Sequence, residues 1–189
     1  NRKEQKKRGS PQRDLVELIL LRQFIAMKAI PNTIELVDNA IEEGKKVIIF
    51  TTFNDELLDL QEYYGNNCVV HNGSMSSKEK QSSVDEFQNN PNKKVFIGNI
   101  MSAGVGITLT AADTVIFNSF DWVPGNNEQA EDRSYRIGQN NNVSVYYQLF
   151  EDTISTRMWY TLKHKKNVIN QIIGKDDDNI DEIVNDIIE

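Results

Sequence analysis

VIIFTTF, residues 47–53, is an unbroken apolar run that ends in two hydroxyls and an aromatic ring. Val47, Ile48, Ile49 and Phe50 are strand-forming residues, and with no polar alternation among them both faces of the strand must be covered. Strands covered on both faces belong to parallel sheets, whose neighbours return through crossover helices. The sequence on either side supplies those helices and further strands.

Upstream, Leu15, Leu18, Ile19, Arg22, Phe24 and Ile25 recur at three-to-four spacing and predict a helix from Asp14, its cap, to Met27. Pro31 predicts a break and a second helix through Ile41, with Ile34, Val37 and Ile41 on one stripe and Gly44 as the stop. Downstream, a helix is expected from Asn54 to Tyr64 with Leu57, Leu58 and Leu60 on its core side. Val69 and Val70 form a short strand. Ser76 opens a helix to Phe87, and Glu79 completes a capping box. Val95 to Ile97, Thr114 to Phe117 and Val143 to Leu149 are three more strands. A last helix runs from Thr153 to about Ile173, anchored by Ile154, Met158, Leu162, Val168 and Ile172 and closed by Gly174. Strands alternating with helices predict an α/β fold, a doubly wound, mainly parallel sheet flanked by helices.

Composition bounds the function. At 189 residues with 39% hydrophobic content the chain can bury one sizeable core. Apolar runs such as Leu18 to Leu21 span four residues, far short of the ~20 needed to cross a bilayer, so no membrane partner is expected. The single cysteine, Cys68, lies in an apolar run and reads as a buried structural thiol, which fits an intracellular origin. Net charge is −7, the wrong sign for a simple nucleic-acid binder. Of 21 basic and 28 acidic residues, one and seven lie from Lys175 onward, leaving 20 and 21 in the body, where a local basic face can exist. Three regions follow: a basic leader or linker at 1–13, a lobe at 14–173 and an acidic tail at 174–189. The chain begins with Asn, not Met, and reads as a piece of a longer protein. Only two histidines are present, and no nucleophile–histidine arrangement or metal-ligand cluster is formed.

Ligands of open α/β sheets bind beyond the carboxyl ends of the strands. Thr51, Thr52 and Phe53 follow the first strand. The glycine-rich Gly98 to Gly106 follows the third, and Asn118 to Trp122 the fourth. Gly104 and Gly106 permit close backbone approach to a phosphate. Gln129 to Gln139, QAEDRSYRIGQ, holds Arg133 and Arg136 at helical spacing, with Gly138 to end the helix. Two guanidinium forks on one face suit phosphoryl oxygens. Yet no G-x-x-x-x-G-K-[ST] loop occurs in the chain, nor an acidic pair after a strand to hold Mg²⁺. That combination describes half of an ATPase, because an arginine finger can come from a second domain.

Four blocks, in order, resemble the C-terminal RecA-like (helicase C) lobe of Swi/Snf-family superfamily-two ATPases and DNA translocases. VIIFTTF resembles motif four. HNGSM (71–75), with KQSSVDEFQ (80–88), resembles the block after it. MSAGVGITLTAADTVIFNSFDWVP (101–124) resembles motif five and its extension, and QAEDRSYRIGQ resembles motif six. The likeness spans about Leu15 to Gln171 and is closer to annealing-helicase and bacterial or phage members than to large chromatin remodellers. It implies that Arg133 and Arg136 are arginine fingers, that Gln129, Asp132, Gly104 and Gly106 serve the ATP side, and that Thr52, Ser74, Ser102, Thr108 and Trp122 serve DNA. It implies ATP and Mg²⁺ held mainly by an N-terminal RecA-like lobe of the same protein, double-stranded DNA as partner, and no metal on this lobe. It also implies a nuclear location in a eukaryote or a cytoplasmic one in a bacterium or phage. Asn72 stands where aspartate is usual, Lys80 for arginine and Val123 for asparagine. A catalytically silent nucleic-acid-binding or protein-interaction lobe is the alternative.

Overall fold

In the computed structural model β1 (Val47–Thr51) has every residue buried, as its unbroken apolar run requires. The structure describes residues 11–103, 106–139 and 141–171; the basic leader up to residue 10, Gly104 and the acidic tail lie outside them. The chain continues through α2 (Asn54–Tyr64), β2 (Cys68–His71), α3 (Ser77–Asn89), β3 (Val95–Asn99), the short α4 (Ile100–Ala103), β4 (Thr114–Phe117), α5 (Pro124–Glu131), β5 (Ser144–Tyr147) and α6 (Ile154–Gln171). α1 (Pro11–Glu42) precedes β1. The sheet order is β2-β3-β1-β4-β5, and every pairing is parallel.

Alternate residues of the strands feed two cores. Val47, Ile49, Val95, Ile97 and Ile116 pack against Ile30, Val37 and Ala40 of α1 and Leu57 and Leu60 of α2. Ile48, Phe50, Phe96, Val115 and Phe117 pack on the other face against Val84 and Phe87 of α3 and Met158 and Leu162 of α6. Leu18 joins this second core, so the first half of α1 overhangs the sheet. Each fully buried large side chain contributes about 1.5–3 kcal/mol.

The largest departure from the sequence reading is α1, one helix of 32 residues with Pro31 inside it rather than two helices. The ring of Pro31 faces solvent. Buried Ala26, Ala29 and Ile30 before it and Thr33 and Val37 after it hold both halves in one register, so packing overrides the lost hydrogen bond. Pro31→Ala, which restores that bond, is expected to stabilise the lobe by about 1–3 kcal/mol in urea unfolding. A lower midpoint would count against a continuous helix. Phe24 and Leu58, expected in the core, are exposed. The Ser76–Glu79 capping box forms as expected, and Gly44 takes a left-handed φ of 82° just past α1. Cys68 is buried, and burial pushes its thiol up. The side chain of Val168, and Ile172 and Gly174, fall outside the described residues. No described helix is long and apolar enough to cross a membrane.

Candidate functional site

Because all five strands are parallel, their carboxyl ends share one edge. Thr52 follows β1, Ser74 follows β2, Ser102 lies in α4 after β3, and Trp122 follows β4. The structure therefore brings four residues from separated stretches to one edge. Asn72, Gly73 and Ser74 line a groove with Asn99 and the start of α2. There the Asn72 side chain accepts from Ser74 N (3.1 Å) and Ser74 Oγ (2.7 Å) and fixes the turn. The Ser102 hydroxyl is buried and has no hydrogen-bond partner. Gly106 has φ 73° and open space where a Cβ would stand, so its backbone is free to meet a ligand.

A buried carboxylate organises the ends of β1 and β4. Glu56 is fully buried. Its Oε1 accepts from Thr52 N and Phe53 N at 2.7 Å each and from Ser119 Oγ at 2.5 Å; its Oε2 accepts from Asn118 Nδ2 at 2.5 Å. Burial pushes the Glu56 carboxyl above its usual range, against the pull of these donors. Ser119 Oγ also lies 2.9 Å from Thr52 Oγ1. Ser119 has one proton to give, so it serves either Glu56 or Thr52, and when it serves Thr52 the Thr52 hydroxyl keeps its own proton for another acceptor. Asn99 Nδ2 donates to Thr52 O at 2.9 Å and ties β3 to the same corner.

Trp122 is half-buried and lies against a cation. The Arg22 guanidinium sits 4.6 Å from its ring centroid and 5.5 Å from that of Phe53. Arg22 Nη2 donates to Phe120 O at 2.8 Å.

The two arginines are not on a helix. α5 ends at Glu131, and the chain turns as Arg133 N donates to Ala130 O and Ser134 N to Glu131 O. The Ser134 hydroxyl donates to that same Glu131 carbonyl (2.9 Å), which competes with continued helix. Gly138, at φ 107°, serves a later turn instead of a helix end. The arginines are neighbours all the same: loss of solvent, then the Arg136 charge, lowers the Arg133 pKa. Arg133 is 5% exposed; its Nε donates to Gln129 O at 2.9 Å, and its Nη1 is buried with no partner. Arg136, half-buried, donates to Thr108 Oγ1 at 3.4 Å, so Thr108 stands beside the arginines. Leu109 N donates to Arg133 O, and Gln139 Nε2 donates to Ala112 O at 2.7 Å, clipping the arginine turn to the loop after Gly106. Gln129 and Asp132 are exposed beside them.

Residues 28–138 match the helicase conserved C-terminal domain. The chain belongs to that family. A Sulfolobus solfataricus SWI2/SNF2 ATPase core in complex with dsDNA is 30% identical, with a TM-score of 0.72 over 93% of this chain and 41% of that one. The human DNA annealing helicase and endonuclease ZRANB3 is 41% identical over 102 residues, 54% of this chain and 10% of its own length. The Saccharomyces cerevisiae chromatin-remodeling ATPase INO80 is 38% identical over 138 residues, 71% of this chain and 9% of its own. The chain thus spans about a tenth of these curated relatives. It is a RecA-like helicase C-terminal lobe of the Swi/Snf type.

Within this helicase C-terminal lobe, Glu56, Arg22, Asn99, Asn118 and Gln139 are site residues that the sequence reading did not single out. Arg22 had a signal, since a charge recurred among apolar positions of a helix. Glu56 had none, because a Glu at the third position of a helix is an ordinary cap. His71 is buried, bonds Ser83 Oγ at 3.1 Å, and is held neutral first by burial and then by Lys80, as a structural histidine is. Among the described residues no three His, Cys, Asp or Glu side chains group to hold a metal ion.

Proposed function

We propose that this lobe is the second half of an ATP-dependent motor that moves along double-stranded DNA. The single observation that carries the reading is the buried, partnerless N–H of Arg133 beside Arg136. A desolvated donor costs about 1–3 kcal/mol when unpaired and is recovered by an anionic acceptor. ATP fits as that acceptor. Bound between the lobes, it supplies a γ-phosphoryl group whose charge must be stabilised as it transfers. Arg133 and Arg136 reach the phosphates, Gln129 and Asp132 flank them, and the backbone of Gly106 approaches the same cleft. Mg²⁺ and most of the nucleotide are held by the first lobe; among the described residues of this one no carboxylate cluster groups for a metal.

On the other side of the edge, Thr52, Ser74 and Ser102 donate to DNA phosphates and Trp122 braces the strand. Such contacts position the duplex without reading its sequence. The full protein is expected to hydrolyse ATP on addition of duplexes of unrelated sequence, with binding weakened steeply by salt. The isolated lobe is expected to show no ATP turnover. Robust magnesium-dependent hydrolysis by the pure lobe sinks the proposal, as does a full protein indifferent to DNA.

A further inference from the structure

We infer that Arg22 is a positioning residue that couples the end of β1 to the loop leading into α5. The inference rests on the motor reading above. Arg22 comes from the overhanging half of α1 and is 8% exposed. The Glu56 and Asp121 carboxylates act on it, yet neither is within ion-pair distance. Its contacts are instead the carbonyl of Phe120 at 2.8 Å and the rings of Phe53 and Trp122 at 5.5 and 4.6 Å. One cation is thus shared by two rings on two different loops. Moving either ring away weakens an attraction that is strengthened by desolvation.

Chain order gives that geometry a direction. Phe53 directly follows Thr52, the proposed DNA-phosphate donor. Trp122 stands two residues before Pro124, where α5 begins, and α5 ends at Glu131, two residues before Arg133. A displacement of Thr52 on meeting DNA moves Phe53, is passed by Arg22 to Trp122, and reaches the arginines through α5. A side chain that only fills space would support both loops without making either depend on the other.

A double-mutant cycle in the full protein separates the two roles. The readouts are ATP turnover at saturating duplex DNA, KM for ATP and thermal midpoint. Arg22→Met keeps the stem and removes the cation; it is expected to lower DNA-stimulated turnover by about tenfold and to shift KM for ATP by less than about twofold. In a Trp122→Ala background the same change is expected to cost less than about twofold more, because the ring it acts through is gone. A full tenfold loss in both backgrounds, or wild-type turnover in Arg22→Met, overturns the inference. Should Arg22→Met fail to fold, Arg22→Lys carries the cycle. It retains the charge, is expected to lose about threefold alone and nothing further on Trp122→Ala, and equal losses in both backgrounds overturn it. A wild-type protein without DNA-stimulated hydrolysis defeats the motor reading; a stimulated wild type with an additive cycle defeats Arg22 alone.

Discussion

Arg136→Ala in the full protein is expected to lower DNA-stimulated ATP turnover by roughly 10³-fold or more, the range of a lost arginine finger, while duplex affinity changes by less than about threefold, since at most one phosphate contact is at stake. Arg136 is the cleaner of the two arginines to remove. Its described hydrogen bond is a long one, 3.4 Å to Thr108, so truncation leaves the turn intact. Arg133 also holds the Gln129 carbonyl and is buried, so its loss mixes chemistry with folding. Arg136→Lys should rescue little, because an ammonium offers a point charge where a planar fork spans two oxygens. Steady-state turnover and duplex binding, measured on the same preparation, decide it. Wild-type turnover in Arg136→Ala removes the finger assignment.

Glu56→Ala is expected to destabilise the lobe by about 3–5 kcal/mol, the cost of buried donors left short of an acceptor together with the cavity left by the side chain. Four donors lose a partner: Thr52 N, Phe53 N, Ser119 Oγ and Asn118 Nδ2. Thr52 N keeps Ser119 Oγ, Ser119 Oγ keeps Thr52 Oγ1 and Asn118 Nδ2 keeps the Ala26 carbonyl, while Phe53 N has none of these to fall back on. Glu56→Gln should cost less, about 1–3 kcal/mol, because its oxygen can serve three donors while its amide meets the Asn118 amide donor to donor. Asn118 cannot turn without losing its bonds to Thr33 and the Ala26 carbonyl. The pH dependence has a definite sign. The Glu56 carboxyl is raised by burial, so its protonated form favours the folded state. That contribution is complete below the unfolded pKa and is lost as pH rises through the folded one. The stability gap between wild type and Glu56→Gln should therefore narrow from pH 4 toward neutrality. Urea unfolding across that range reads both numbers, and a gap that widens with pH contradicts a raised carboxyl.

Much of the fold was legible because it is written in local patterns. The continuous apolar strands announced a parallel sheet, and the Ser76 capping box marked the start of α3 to the residue. Pro31 misled because local propensity speaks for a break, while the stripes that keep α1 continuous are a tertiary fact. The arginine turn misled for the converse reason. Arg133 and Arg136 have helical spacing, but Ser134 turns its hydroxyl onto the backbone and the helix has already ended. For the candidate site, placement was legible where residues follow strands, as Thr52 and Trp122 do. It was not where a residue matters through partners distant in sequence. Glu56 meets Ser119, and Arg22 meets Trp122, only after the sheet has assembled.

β1, the first of the described strands, lies in the middle of the sheet, between β3 and β4. Val47 pairs with Val95 on one side and Thr114 on the other, so β1 leaves the ribosome long before either neighbour exists. Until then VIIFT is an apolar segment with two open edges, the kind of stretch that seeks any strand it meets. Assembly of this lobe is thus a race between synthesis and misassociation. Its refolding yield should fall as protein concentration rises, and slower folding than in a helical bundle of equal size is the cost of placing at the centre a strand whose partners both follow it in the chain.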